Sequence, residues 1–243
     1  MDFWTFMDVY GYYLTIGMFV LSLVIQFWMK SVFSRYSKVP VRSGMSGKDA
    51  AELILRRYSL DSSFGGKGNP VSVEAVSGNL TDHYSPKEKI VRLSEATYGS
   101  RSVAAVGVAA HECGHAIQDA KSFFPNRIRA FLAPAASLGS RFGPLLAIIG
   151  LFMWNTSALG ENLFMIGLAF FAIATLFYLV TLPVELDASR RAVAALRDER
   201  LLTEEEISGA KKVLTAAAMT YVAAAATSIL QVLRLLAARN RRR

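Results

Sequence analysis

Long apolar stretches dominate the pattern of hydrophobic and polar positions along this chain. Three of them, with almost no charged residue inside, cover 9–29, 132–154 and 163–184. An α-helix rises 1.5 Å per residue, so about 20 apolar residues cross the roughly 30 Å hydrocarbon core of a bilayer. The pattern therefore predicts an N-terminal transmembrane anchor in residues 1–30 and a transmembrane helical hairpin in residues 131–184.

A fourth apolar stretch, 213–233, allows two interpretations. It is uncharged and long enough to span, but a cluster of arginines follows it: Arg234, Arg239 and residues 241–243. Basic flanks favour the cytoplasmic side, so a fourth crossing would oppose the charge bias. The alternative is a helix that packs against the other helices or lies in the membrane interface. The sequence leaves both open for the last segment, 185–243.

The positions of the basic residues also predict an orientation. Lys30, Arg35, Lys38 and Arg42 directly follow the first apolar stretch, whereas the residues before it carry no Lys or Arg. The positive-inside bias then places the N-terminus outside and the following segment in the cytoplasm.

Residues 39–130 have the mixed pattern of a small water-soluble domain. Ser46 is suited to cap a helix that runs to about Tyr58, and apolar and polar positions alternate over 71–75 and 90–94 as in short strands. A Gly-rich loop is predicted at 65–70, and a largely buried helix over 102–120. The predicted fold class is a mainly α membrane protein that carries a small α+β domain on its cytoplasmic face.

Composition and charge narrow the function classes. Hydrophobic residues make up 53% of the 243, and the single cysteine excludes an intrachain disulfide framework. This hydrophobic content is too high for an intrinsically disordered chain. The formal net charge is +8, but the basic residues cluster beside the apolar stretches. We therefore expect the lipid bilayer as a partner and no nucleic acid.

The candidate chemistry lies in the helix predicted over 102–120. His111 and His115, four positions apart, share one helix face, so both imidazoles can bind one metal ion. Glu112 is placed to act as general base on a zinc-activated water, so the α+β domain of residues 39–130 is predicted to be zincin-like. Two alternatives are histidines that serve only packing and a metal site without hydrolysis. Cys113 points away from the metal face and is expected to be a buried packing residue.

A catalytic zinc ion needs a third protein ligand. The candidates are His83, Asp119, Glu185 and Asp187. Glu185 is favoured because the hairpin returns the chain to the same membrane face just before it, and Asp187 comes next. A purely structural role for Glu185, at a helix start after Pro183 or paired with a nearby arginine, is the alternative.

Several stretches together resemble the YugP-type family of bacterial neutral zinc metallopeptidases, over nearly the whole chain. They are 78–84, 91–95, 100–105, 110–112, 182–185 and 187–189. The layout is more distantly similar to the HtpX and CAAX-prenyl proteases. The resemblance implies that His111, His115 and Glu185 bind Zn²⁺ and that Glu112 is the catalytic base.

One position departs from that family pattern. The relatives carry an aspartate four residues after the glutamate ligand, where it can orient a ligand histidine. Here Ser189 holds this position, so the resemblance leaves Asp187 or Asp119 for that role.

His83 and Tyr84 form a second candidate group. His83 is predicted as a catalytic residue that donates a hydrogen bond to the oxyanion of peptide hydrolysis, and Tyr84 could serve similarly. The alternative is a simple turn before the strand predicted over 87–94. If that strand is an exposed edge, a substrate could bind to it as an added strand.

The sequence thus predicts a zinc-dependent metalloendopeptidase, multi-pass in the bacterial cell membrane, with its site on the cytoplasmic side. The expected substrates are peptides or membrane proteins. A membrane scaffold that binds zinc without hydrolysis is the main alternative. A solute carrier is disfavoured because two of the apolar stretches, 9–29 and 163–184, have no central charged residue.

Overall fold

The computed structural model of the chain describes residues 2–60, 70–155 and 157–241. Nearly all of the loop predicted at 65–70 lies outside these residues. The helices are α1 (Phe3–Tyr36), α2 (Gly47–Arg57), α3 (Glu95–Tyr98), α4 (Val103–Ala120), α5 (Phe124–Met153), α6 (Ala158–Asp198) and α7 (Glu204–Asn240). The strands are β1 (Ser72–Val76), β2 (His83–Ser85) and β3 (Ile90–Ser94).

Four helices are long and apolar enough to cross a membrane. By length and composition these candidate spans are Val9–Tyr36, Phe124–Met153, Leu159–Asp198 and Glu204–Asn240. The predictions of an N-terminal span and of a helical hairpin are confirmed at this level, and α7, which the sequence left open, joins them. Helix α5 begins at Phe124, earlier than the apolar stretch, because the Pro125 that follows is tolerated in a first helical turn.

The strands form one sheet in the order β1, β3, β2. β3 pairs in parallel with β1 and antiparallel with β2. The condition under which a substrate could pair with the 87–94 strand, that it is an exposed edge, is not met, since β3 is central and β1 and β2 are the edges. His83 and Tyr84 lie in β2 instead of in a turn. A strand of three residues is too short to show an alternating pattern, which is why the sequence did not reveal it.

Local capping explains where two helices begin. The Ser46 hydroxyl accepts a hydrogen bond from the Asp49 backbone N–H, and the Asp49 carboxylate accepts one from the Ser46 N–H in return. This capping box starts α2 where the sequence predicted it. Ser102 caps α4 in the same manner by accepting from the Ala105 N–H.

The chain divides into two compact units. The first comprises Met1–Ile25, Phe124–Pro183 and Thr220–Arg243, and the second comprises Gln26–Phe123 and Val184–Met219. The second unit holds the sheet, α2 and α4, and a core in which Ile54, Leu93 and Ile117 are almost fully buried. Its α4 is therefore a helix with little contact to solvent, as its alanine- and valine-rich start predicted.

Glycines bring α5 and α6 into close contact within the first unit. A Cβ added at Gly139 would lie 2.2 Å from the Phe170 carbonyl oxygen, and one added at Gly150 would lie 2.3 Å from the Phe164 backbone nitrogen. Only glycine fits at such backbone approaches, and small residues are typical of helix contacts in membranes. The two helices thus form the predicted hairpin.

The first unit also joins the start of α1 to the end of α7. The Arg234 guanidinium donates a hydrogen bond to the Thr15 hydroxyl at 3.2 Å. The Arg234 side chain also passes beside Gly11, where an added Cβ would lie 3.2 Å from its Cγ. The first part of α1 and the last part of α7 therefore lie side by side in this unit.

Candidate metal centre

Helix α4 presents the two histidines of the candidate site. His111 and His115 are one turn apart, and their rings meet edge to face with centroids 4.8 Å apart. Cys113, between them, is fully buried, and its thiol contacts the Ala51 carbonyl oxygen at 3.6 Å. Its position away from the histidines agrees with the expected packing role, and burial raises the pKa of the thiol.

Glu185 of α6 is the carboxylate that meets these histidines. It is 2% exposed, and its Oε2 lies 3.2 Å from His111 Nε2 and 3.5 Å from His115 Nε2. The three donor atoms all lie within 4.8 Å of one another. Donors that bind a tetrahedral zinc ion at about 2.0–2.1 Å are separated by about 3.3 Å. The two measured distances match that spacing, so the residues fit a metal ion.

The other third-ligand candidates lie elsewhere. The Asp119 carboxylate accepts hydrogen bonds from the Tyr84 hydroxyl and the Lys89 ammonium group. The Asp187 carboxylate accepts from Arg190 and Arg191. The donor group that could hold a metal within the described part of the chain therefore contains neither aspartate, nor His83.

Each histidine uses its other ring nitrogen for a hydrogen bond. His111 Nδ1 lies 3.1 Å from the Ser189 hydroxyl, and His115 Nδ1 lies 3.1 Å from Gln118 Oε1. Ser189 thus contacts a candidate ligand histidine from the position at which the sequence analysis expected an aspartate. Gln118 did not emerge from the sequence, although its position three residues after His115 places it on a neighbouring turn of α4.

A close helix contact sets the approach of α4 to α6. A Cβ added at Gly114 would lie 2.4 Å from the Ala188 carbonyl oxygen. This approach brings the backbone of α6 next to the helix that carries the histidines. Gly114 is therefore a packing requirement of the site that the motif spacing alone did not indicate.

Glu112 is buried beside the donor group, with 7% of its surface exposed. Burial raises the pKa of its carboxyl group to about 7, His111 opposes the rise, and the neighbouring Glu185 and Asp82 carboxylates add to it. The backbone N–H of Tyr84 also opposes the rise. A carboxyl group with a pKa near 7 is suited to take up and release a proton at neutral pH.

The second candidate group lies on strand β2. The Tyr84 hydroxyl donates to Asp119 at 2.7 Å, and burial raises the pKa of this phenol. The hydroxyl hydrogen is thus engaged in this arrangement. His83 is exposed, and its Nδ1 lies 2.8 Å from the Thr81 carbonyl oxygen. The oxyanion role of His83 stays a prediction.

The chain thus combines four candidate membrane spans with a candidate metal centre of two partly buried histidines and one buried glutamate. The chain belongs to the family described as "Putative neutral zinc metallopeptidase", whose model matches residues 11–240. It is 40% identical over 222 residues to a Bacillus subtilis (strain 168) protein named "Putative membrane protease YugP", covering 91% of this chain and 93% of that protein. The resemblance predicted from the motifs is confirmed. No solved structure matches the chain.

Proposed function

We propose that this protein is a zinc-dependent endopeptidase of the bacterial cell membrane. The observation that carries the proposal is the approach of Glu185 Oε2 to both His111 Nε2 and His115 Nε2, at 3.2 and 3.5 Å. Two imidazoles and one carboxylate leave a fourth position open in a tetrahedral site, which is the arrangement of catalytic zinc ions. Family membership and the membrane protease relative support the same function.

The metal ligands and Glu112 have different roles in the proposed peptide hydrolysis. Zinc, when bound, acts as a Lewis acid that lowers the pKa of water toward 7 and polarises a carbonyl group. Glu112 takes the proton of the attacking water and passes it to the leaving amine.

We further propose that peptides bind along strand β2. This strand is an edge of the sheet, and the backbone N–H of its Tyr84 influences the Glu112 carboxylate. A substrate in extended form can pair with the free edge through its backbone. Such pairing gives affinity with little side-chain specificity, which suits peptides and membrane-protein segments as substrates.

The location of the site follows from the charge pattern. Lys30, Arg35, Lys38 and Arg42 follow the first candidate span and favour the cytoplasm. Because the donor residues follow this basic flank in the chain, we place the site on the cytoplasmic side and the N-terminus outside. The lipid bilayer is then a direct partner, and the net positive charge serves topology and not nucleic-acid binding.

Glu112→Gln tests the proposal in the full-length protein purified in detergent. We expect this variant to retain bound zinc while casein cleavage and self-cleavage are abolished. Glu185→Ala is expected to lose zinc and activity together, whereas Asp119→Asn, a carboxylate outside the donor group, keeps its zinc. Metal content and casein cleavage are measured on each.

Two results would decide against the proposal. If wild type and Glu112→Gln behave alike in the cleavage assay while both bind zinc, the protein is a zinc-binding membrane scaffold. If Glu185→Ala binds zinc undiminished, Glu185 is not the third ligand.

A further inference from the structure

The Gln118 side chain connects the candidate metal centre to a charged group on α6. Gln118 is fully buried on α4. Its Nε2 donates to the Val184 carbonyl oxygen at 2.8 Å and to Asp187 Oδ2 at 3.0 Å. Its Oε1 lies 3.1 Å from His115 Nδ1. Both polar atoms of this buried amide therefore have partners.

The partners determine which way the amide faces. A carbonyl oxygen and a carboxylate only accept hydrogen bonds, so the NH₂ group must face Val184 and Asp187. The amide oxygen then faces His115, and because this oxygen also only accepts, His115 must carry a proton on Nδ1. A histidine that binds zinc is neutral and has one N–H, so in the zinc-bound state the lone pair of His115 is on Nε2, the nitrogen that faces Glu185.

Two arginines hold the Asp187 carboxylate, which accepts the hydrogen bond from Gln118. Asp187 is 8% exposed, and its two oxygens accept from the Arg190 and Arg191 guanidinium groups. These bonds fix the position of the carboxylate that receives the Gln118 NH₂ group. Asp187 thus acts on His115 indirectly, through the Gln118 amide.

We infer that Gln118 is a positioning residue that holds His115 in the Nδ1-protonated form, with Asp187 setting the orientation of the Gln118 amide. The inference rests on the proposed zinc centre. The two histidines differ in this respect, because the Ser189 hydroxyl beside His111 can donate or accept and selects no single form. Hydrogen bonds to the outer nitrogen of a ligand histidine commonly contribute 10- to 100-fold, roughly, to metal affinity.

Zinc affinity of the full-length protein, measured by competition with a chromophoric chelator, tests this role. We expect Gln118→Leu, which keeps the volume of the side chain and removes the acceptor, to weaken zinc binding about 10- to 100-fold. Asp119→Asn is the matched control on the next residue of α4. Its carboxylate bonds Tyr84 and Lys89, so zinc affinity is expected to stay at the wild-type value.

Exchanging the amide of residue 118 with the carboxylate of residue 187 separates a positioning role of Gln118 from a packing role. Gln118→Glu keeps an acceptor for His115 but sets two carboxylates against each other, so it is expected to weaken binding. The double variant Gln118→Glu with Asp187→Asn places a donor opposite the new carboxylate and is expected to bind zinc more tightly than Gln118→Glu alone. If Gln118→Leu does not fold, this pair of variants decides the question.

Nitrogen NMR of histidine-labelled protein gives a second measurement that packing alone would not affect. The chain has three histidines, so a His83→Gln variant simplifies the spectrum to the two of interest. Bound zinc would by itself leave the proton on Nδ1, so we compare zinc-free proteins and expect a larger fraction of His115 to be protonated at Nδ1 in wild type than in Gln118→Leu. An equal fraction in the two proteins, wild-type affinity in Gln118→Leu, or no recovery in the double variant would each overturn the inference.

The same measurements distinguish failure of the proposed proteolysis from failure of the positioning role of Gln118. A protein that shows the expected affinity ratios but does not cleave casein supports the positioning role of Gln118 and overturns proteolysis. A wild-type protein that binds no zinc overturns both.

Discussion

Single hydrogen bonds decide how the candidate ligands face one another. His111 and His115 turn their Nε2 atoms toward Glu185 while their Nδ1 atoms contact Ser189 and Gln118. Hydrogen bonds on the far side of both rings thereby hold the Nε2 donor atoms toward Glu185. Pre-positioned donors lose less freedom on binding, which favours affinity.

Ser189 offers the simplest test at this scale. We expect Ser189→Ala to weaken zinc binding about 2- to 10-fold, because a neutral hydrogen bond contributes roughly 0.5–1.5 kcal/mol. Ser189→Asp should bind at least as tightly as wild type, since a carboxylate is a stronger acceptor for the His111 N–H. Chelator competition measures both. Ser140→Ala, an exposed serine of α5, is the control, and equal affinities for Ser189→Ala and this control would contradict the expectation.

Among the secondary-structure elements, the contact of α4 with α6 has the greatest effect on the site. One of these helices carries both histidines and the other carries Glu185. Their backbones approach at Gly114, which faces the Ala188 carbonyl. The distance between the histidines and the glutamate therefore depends on the absence of a side chain at a single position.

Gly114→Ala tests this contact. Its Cβ would lie 2.4 Å from the Ala188 oxygen, so one of the helices must shift. We expect a loss of about 1–3 kcal/mol in unfolding free energy, as for other overpacked sites, together with weaker zinc binding. Chemical denaturation and chelator competition measure the two effects.

Gly99→Ala is the matched control, because an added Cβ there meets nothing within 4 Å. If Gly114→Ala were as stable as Gly99→Ala and bound zinc equally well, the helix contact would not set the geometry of the site.

At the scale of the whole molecule, the donors join segments that are far apart in the chain. His111 and Glu185 are separated by 74 positions, and the hairpin of α5 and α6 lies between them in sequence. A metal ion that binds both links two parts of the folded unit that the unfolded chain does not hold together. Metal binding should therefore stabilise the native state.

Removal of zinc is expected to lower the thermal unfolding temperature of the wild-type protein. A ligand that binds only the native state at 100 times its Kd adds about 2.7 kcal/mol to the unfolding free energy. Thermal scans with zinc and with excess chelator measure the difference. Glu185→Ala should show the same temperature in both, and a wild-type protein that is indifferent to the chelator would contradict the expectation.

The contact between α1 and α7 predicts the membrane topology. Because Arg234 bonds Thr15 and passes Gly11, both chain ends should lie on the same side of the membrane, with α7 as a fourth span. Cysteines introduced at Asp2 and Asn240 should both react with an impermeant maleimide in intact cells, while the native Cys113 is buried. Reaction at one end only would exclude a fourth crossing.

The sequence alone determined the features that depend on neighbouring residues. The apolar stretches indicated the candidate spans, the spacing of His111 and His115 indicated a shared helix face, and Ser46 indicated the start of α2. Each is local, because a helix repeats every 3.6 residues and a cap acts within one turn.

The tertiary structure decided the features that depend on distant residues. It brought Glu185 to the histidines, while Asp119 and Asp187 bond other partners. It also made β3 the central strand and placed Gln118 behind His115. The physical reason is that such contacts form between elements whose relative position follows from the packing of the whole chain, and no local pattern of residues records that packing.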